Sequence, residues 1–265
     1  MKKHLIFLVC LSMLFISCGK DEDESSSTNT GILSEADVAS FASSGAGMAQ
    51  SMTNSALAYE STPPSIAALS LFEAFTKNRA PKAASYSFNT SNSYWEATES
   101  VVSSSEGTTM TVNSDFSIGL WEGGSLTQVV VSALEQVTMF GTSSIAMSNS
   151  NTGENLTFTM TMGNGISSPL TWEGIDTDSV TMNGSFSFDI TSSGQSVEMA
   201  MTFTNLTIDT TSSNFPSGTM SITASSSGQS FSGTIVYDGT STAVATIDGV
   251  TVDVDLSASI TSILQ

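Results

Sequence analysis

The sequence predicts a mainly β protein, an antiparallel meander forming a curved sheet, half-barrel or barrel, with two N-terminal helices packed on it. Three observations predict it. From about residue 84 to residue 265, large apolar residues alternate with Ser and Thr, the two-residue period of a strand with one buried face. The turn dipeptides Asn164-Gly165, Asp238-Gly239 and Asp248-Gly249 punctuate that region. Ahead of it, residues 34–83 change to apolar spacings of three, four and seven, the period of a helix.

At the N-terminus, Lys2, Lys3 and His4 precede an apolar run from Leu5 to Ile16. At about 12 residues the run is too short to span a bilayer as a helix, so it reads as a secretion signal. It ends in Leu14-Phe15-Ile16-Ser17-Cys18, which resembles the lipobox of bacterial lipoproteins, with Phe15 where that motif usually has Leu. The resemblance implies that residues 1–17 are a lipoprotein signal peptide. It also implies that Cys18 is lipidated and that the chain meets a membrane through this N-terminal lipid. A core strand containing a cysteine fits poorly with the basic start and with the polar Gly19-Lys20-Asp21-Glu22-Asp23-Glu24 that follows. Gly19 stands where many lipoproteins retained at the inner membrane have Asp. Lys20-Asp21-Glu22-Asp23 resembles the acidic tether with which some Gram-negative groups export lipoproteins to the surface. The expected location is the outer membrane, on its surface-exposed or its periplasmic face. In a plainer reading, residues 18–33 are a charge-dense, Ser-rich tether kept solvated and disordered.

Composition narrows the chemistry. All 25 acidic residues follow residue 17 and two of the six basic ones precede it, so the mature chain carries four basic residues and a net charge of −21. Nucleic acid is excluded as a partner held by charge attraction. The single histidine is His4, Cys10 lies in the signal peptide, and Cys18 is the acylation site. Ser-His-Asp and Cys-His catalysis, zinc sites with His or Cys ligands, haem ligation by His and c-type haem attachment therefore all lack their residues. The mature part also has no Ser-x-x-Lys. Carboxylate chemistry, Ca²⁺ held by oxygen ligands, or no chemistry is left, and the expectation is a non-enzymatic protein without a cofactor.

Residues 34–83 form the helical segment. Ser34 is a credible N-cap, Glu35 and Asp37 suit the first turn, and Val38, Phe41, Met48, Met52 and Tyr59 make one apolar stripe. Gly45 and Gly47 cost about 1 kcal/mol each relative to Ala, so a break near the middle is expected. Pro63-Pro64 stops this helix and Ser65 caps a second, with Ile66, Leu69, Leu71, Phe72 and Phe75 as its apolar surface. Lys77, Arg79 and Lys82 at its end suit an anion or a lipid head-group. More simply, they complement a helix C-terminus and the acidic remainder of the chain.

Residues 84–265 form the β domain. Leu156, Phe158, Met160 and Met162 share one strand face and Thr157, Thr159 and Thr161 the other, so one sheet face meets a core and the other water. A weak repeat runs through it. A shift of 34 residues sets Phe186, Phe188, Met199, Met201 and Phe203 on Met220, Ile222, Gly233, Ile235 and Tyr237, and a shift of 41 sets Phe158, Met160 and Met162 on Met199, Met201 and Phe203. Each unit reads as a hairpin with one apolar face. The unequal spacings oppose a solenoid and favour successive hairpins in one curved sheet. A transmembrane barrel shares the two-residue period, but no aromatic girdle is visible.

Three motifs stand out beyond the periodicity. Trp95-Glu96, Trp121-Glu122 and Trp172-Glu173 take up every tryptophan, as rim aromatics beside carboxylates for a sugar or Ca²⁺, or as plain strand ends. Asp176-Thr177-Asp178 begins like an EF-hand loop, but Val180 stands at its third ligand position. Asp178-Ser179-Val180 and Asp209-Thr210-Thr211 resemble an acidic-plus-hydroxyl pattern for bacterial O-glycosylation.

The apolar sheet face must be covered, by closure or by the helices lying in its concavity. That arrangement resembles, in architecture alone, periplasmic carriers of lipids or lipoprotein acyl chains. The expected function is an envelope lipoprotein binding an apolar or lipid-like ligand in a concave sheet, lined by Phe158, Met160, Met162, Phe186, Phe188, Met199, Met201 and Phe203. The alternative is a structural or adhesive cell-surface protein with no small-molecule ligand.

Overall fold

The computed structural model describes residues 35–61, 85–105, 107–192, 195–210, 215–226 and 229–256. The signal peptide expected at residues 1–17, Cys18, the tether expected at residues 18–33 and the second helix expected from Ser65 lie outside the described residues. The first helix, α1, spans Glu35–Ser61. Thirteen strands follow: β1 Ser85–Asn89, β2 Tyr94–Ser105, β3 Thr108–Glu122, β4 Ser125–Thr127, β5 Gln136–Asn149, β6 Asn155–Met162 and β7 Leu170–Glu173. After them come β8 Ser179–Ser192, β9 Gln195–Asp209, β10 Ser217–Ser226, β11 Gln229–Asp238, β12 Thr242–Ile247 and β13 Val250–Asp255.

They form one antiparallel meander in the order β1-β2-β3-β5-β6-β8-β9-β10-β11-β12-β13, with β4 paired to the end of β3 and β7 set between β5 and β8. Among the described residues β1 pairs only with β2 and β13 only with β12, so the described ladder is an open sheet. The hairpins read from the repeat are β5–β6, β8–β9 and β10–β11, each adding the same inward parity to a common face. One register row runs Ala97, Phe116, Gly141, Met162, Phe186, Met201, Ile222, Gly233 and Ile247 across nine strands.

Helix α1 lies on this face, against β13, β12 and β8. It is continuous, contrary to the break expected at Gly45 and Gly47. Close packing explains the difference, because a Cβ on Gly45 would stand 2.2 Å from Met220 Cε and 3.1 Å from Tyr237 Oη. Its buried residues are mostly small, Ala42, Ala46, Ala49 and Ala56 with Met52 and Thr53. Of the expected stripe, Met52 is buried and Met48 half-buried, while the side chains of Val38, Phe41 and Tyr59 lie outside those described. The small face lets the helix axis approach the sheet, and tertiary contact then outweighs the local cost of two glycines. The buried Tyr237 hydroxyl donates to the Ala42 carbonyl oxygen over 2.9 Å, fixing the helix along its length. Desolvation holds this phenol in its neutral, donating form by raising its pKa.

Two irregularities shape the sheet. In β9 the buried side chains run Met199, Met201, Phe203 and then Leu206 and Ile208, a parity change centred on Asn205 at φ 48°. Met182 faces Leu206 but Gly184 faces Phe203, so β9 carries one extra residue, a β-bulge. The Asn183 carboxamide oxygen accepts the Asn205 N–H at 2.7 Å and pins the bulge. Gly218 on β10 adopts φ 123° there, and a Cβ on it would stand 2.2 Å from the Asn205 carbonyl oxygen.

The second irregularity is an interrupted strand. Along β5, Met162 of β6 faces Gly141 and Leu170 of β7 faces Met139, so β6 and β7 continue one line and residues 163–169 form an excursion from it. Asn164-Gly165 lies in the turn between β6 and β7, in keeping with its reading as a turn signal, and the chain resumes the same line beyond it. The two Asp-Gly pairs do reverse the chain. Asp248 and Gly249, at φ 48° and 84°, form the two-residue turn joining β12 to β13.

Candidate functional site

The inner face brings all eight sequence-predicted lining residues together on β6, β8 and β9. Met162, Phe186, Met201 and Phe203 lie in two neighbouring rows; Met160, Phe188 and Met199 share the next, with Phe158 beyond. Seven are buried, from 1 % exposed at Phe203 to 9 % at Phe188, and Phe158 is half-buried. Their rings touch one another. Phe158 stacks on Phe188 with centroids 6.2 Å apart, and Phe186 meets Phe188 edge-on at 6.0 Å. These side chains belong to the same cluster as Ala42, Ala46 and Ala49 of α1 and Ile235 of β11. Such packing stabilises the fold by about 1.5–3 kcal/mol per buried Phe or Met.

The inner face also carries a polar row that the sequence reading missed: Glu99, Ser114 and Ser143 stand in register on β2, β3 and β5. Ser114 and Ser143 are buried and share a hydrogen bond of 2.8 Å between their hydroxyl oxygens. Burial raises the pKa of Glu99, and burial followed by the Glu99 charge raises that of Tyr86. Parity was the available signal, since Glu99 lies two residues past inward Ala97, and Ser114 two before inward Phe116.

The three Trp-Glu pairs do not make one site. Trp172 is fully buried, while Trp95 Nε1 donates to the Gln128 carbonyl oxygen at 3.1 Å and Trp121 Nε1 to Thr138 Oγ1 at 3.2 Å. Two of their carboxylates serve local turns. Glu96 accepts from Asn89 Nδ2 at 2.6 Å, and Glu122 accepts the Val131 amide at 3.0 Å together with the Ser132 amide and hydroxyl. Among the described residues, no three of Asp, Glu, His or Cys converge as metal ligands.

Those Ser132 and Val131 bonds lower the pKa of Glu122. A depressed acid pKa means that the clasp is complete above the ordinary carboxylate range and is lost as pH falls through the lowered value. Amide exchange at Val131 and Ser132 is therefore expected to accelerate on acidification, and Glu122→Gln to give fast exchange already at neutral pH. Exchange independent of pH in the wild type, after correction for intrinsic rates, would exclude the clasp.

The outer face is a grid of hydroxyls. Ser185, Thr202, Ser221, Thr234, Thr246 and Thr251 form one register row across β8 to β13. Neighbouring rungs bond sideways, as Thr246 and Thr251 do at 3.0 Å and Thr181 and Thr207 at 2.9 Å. Toward the β8–β9 hairpin this face holds an open groove of about 690 Å³, with Thr159, Thr161, Ser187, Asp189, Glu198 and Thr223 in its lining. Asp189 and Glu198 are directly opposed across β8 and β9, a like-charge pairing that disfavours the sheet. No Lys or Arg follows Lys82 in the sequence, and several of the sheet's carboxylates accept from amides and hydroxyls. Asp238 is an example, accepting from the Thr240 amide at 2.9 Å and its hydroxyl at 2.6 Å, which lowers its pKa.

Among the described residues no helix is long and apolar enough to cross a membrane. The chain matches no protein-family model, no curated protein and no solved structure.

Proposed function

We propose that the protein is a non-enzymatic, lipid-tethered envelope scaffold that works through the outer, hydroxyl-bearing face of its sheet. The observation that carries this reading is the burial of seven of the eight candidate lining side chains in one hydrophobic cluster. The side chains suited to line a ligand cavity pack on one another and share a cluster with the alanines of α1, which makes the anionic Ser/Thr grid the surface offered to partners. The −17 balance of residues 84–265, with no basic residue among them, keeps that surface hydrated and repels polyanions. The tether rests on the lipobox resemblance at Cys18, and the outer membrane is its proposed location.

A second reading, the apolar-ligand carrier, draws on the hairpin end of the inner face. There Ile145, Leu156, Phe158, Val197 and Phe231 are only half-buried. Native mass spectrometry with lipid extraction, on protein purified from the organism of origin, separates the two. The scaffold reading expects the N-terminal acyl chains and no further apolar species; a stoichiometric non-covalent lipid would replace it with the carrier reading. In the same preparation Cys18→Ser is expected to lose detergent-phase partitioning. A variant that still partitions like the wild type would remove the lipid anchor from the proposal.

A further inference from the structure

Every Asp-Ser or Asp-Thr dipeptide in the chain falls in one place. Asp176-Thr177, Asp178-Ser179 and Asp209-Thr210 are the three occurrences, and the fold gathers them at one end of the β8–β9 ladder. Ser179 faces Asp209 across the ladder, and the Thr210 N–H donates to the Asp178 carbonyl oxygen at 2.8 Å. The next rung, Val180 opposite Ile208, is fully buried. Thr177 is engaged in its own turn, donating to the Gly174 carbonyl oxygen at 2.8 Å and accepting the Ser179 amide at 3.2 Å. Ser179 and Thr210 are exposed, one at the start of β8 and the other just past the end of β9, where an enzyme meets the chain end-on. Hydroxyls in the middle of the grid, by contrast, have a strand on either side.

We propose that Ser179 and Thr210 are acceptor positions for an O-linked glycan, added by an envelope glycosyltransferase; this rests on the export of the chain proposed above. In the transfer, the acceptor oxygen attacks the anomeric carbon of a phosphate-activated sugar and the new C–O bond forms. The bond from that carbon to the phosphate oxygen breaks with its electron pair leaving on the phosphate, and the hydroxyl proton passes to a base of the transferase. A neutral sugar suits the site better than a phosphoryl group. Asp176, Asp178 and Asp209 already crowd it, no basic residue lies on the sheet, and an added dianion would be repelled.

The test uses the full chain made in its organism of origin, separated into membrane and soluble fractions. Chymotryptic peptides are then mapped by mass, because trypsin has no site after Lys82. The membrane-borne wild type is expected to carry a saccharide increment on a peptide containing Ser179 or Thr210. The increment is expected to disappear in the Ser179→Ala, Thr210→Ala double variant and in the Asp178→Asn, Asp209→Asn variant, with the melting temperature unchanged in a deglycosylated comparison. A membrane-borne chain with both positions unmodified, or an increment that survives the double alanine variant, overturns the acceptor site and leaves export intact. An unmodified chain found in the soluble fraction overturns both readings, and the fractionation tells the two failures apart.

Discussion

Gly218→Ala is expected to be one of the two most damaging single substitutions in the sheet. At φ 123° an L side chain is strained by about 1–3 kcal/mol. The new Cβ would also meet the Asn205 carbonyl oxygen at 2.2 Å and Leu206 Cα at 2.8 Å, backbone atoms that cannot rotate away. Overpacking of that kind costs a further ~1–3 kcal/mol. The sum, about 2–6 kcal/mol, is a large part of the ~5–15 kcal/mol that a domain commonly has. Urea unfolding followed by circular dichroism measures it. A loss below about 0.5 kcal/mol, the range of an ordinary surface change, would mean that the bulge does not hold its described conformation.

Phe203→Ala is the second. Phe203 is 1 % exposed, faces Gly184 on β8 and Met220 on β10, and sits just ahead of the bulge. Removing its ring from a packed core is expected to cost about 3–5 kcal/mol. Its neighbour Thr202 points to the other face and is exposed, so Thr202→Ala is the control, with a change within about 0.5 kcal/mol. The pair also bears on function. A small loss at Phe203 together with uptake of an apolar probe would point to space behind the ring and to the carrier reading, whereas a large loss with no uptake agrees with a packed core and the scaffold reading. Equal losses at Phe203 and Thr202 would mean that both faces are buried.

The meander and its inward set were legible because burial on one face imposes a strict two-residue period, and Met160, Met162, Phe186, Phe188, Met199 and Met201 obey it. The repeat was legible for the same reason, since adding a hairpin to a common face preserves parity. Legibility failed where the backbone left that period. Leu206 and Ile208 reach the core only because Asn205 takes a left-handed conformation and inserts a residue, a step that alternation alone cannot reveal. Asn164-Gly165 does mark a turn, but that the chain resumes the same line along β5 beyond it shows only in the strand pairing. The helix was misread in the other direction. Glycines that weaken an isolated helix are what allow this one to sit within reach of Met220 and Tyr237. The polar row at Glu99, Ser114 and Ser143 had a parity signal, but it was masked by the many outward serines around it.

The excursion between β6 and β7 makes this sheet a natural host for grafted sequence. Met162 and Leu170 are already held two rungs apart along β5, so the ends of residues 163–169 are fixed by the ladder and not by the loop. Lengthening such a segment costs only about 0.6 kcal/mol per doubling in closure entropy. Ile166 at its tip is 57 % exposed, and a Cβ added at neighbouring Gly165 would meet nothing within 4 Å. An epitope or a small folded module spliced in at Ile166 would thus ride on a central seam of the sheet, with the register of β5 and β8 carried past it unchanged.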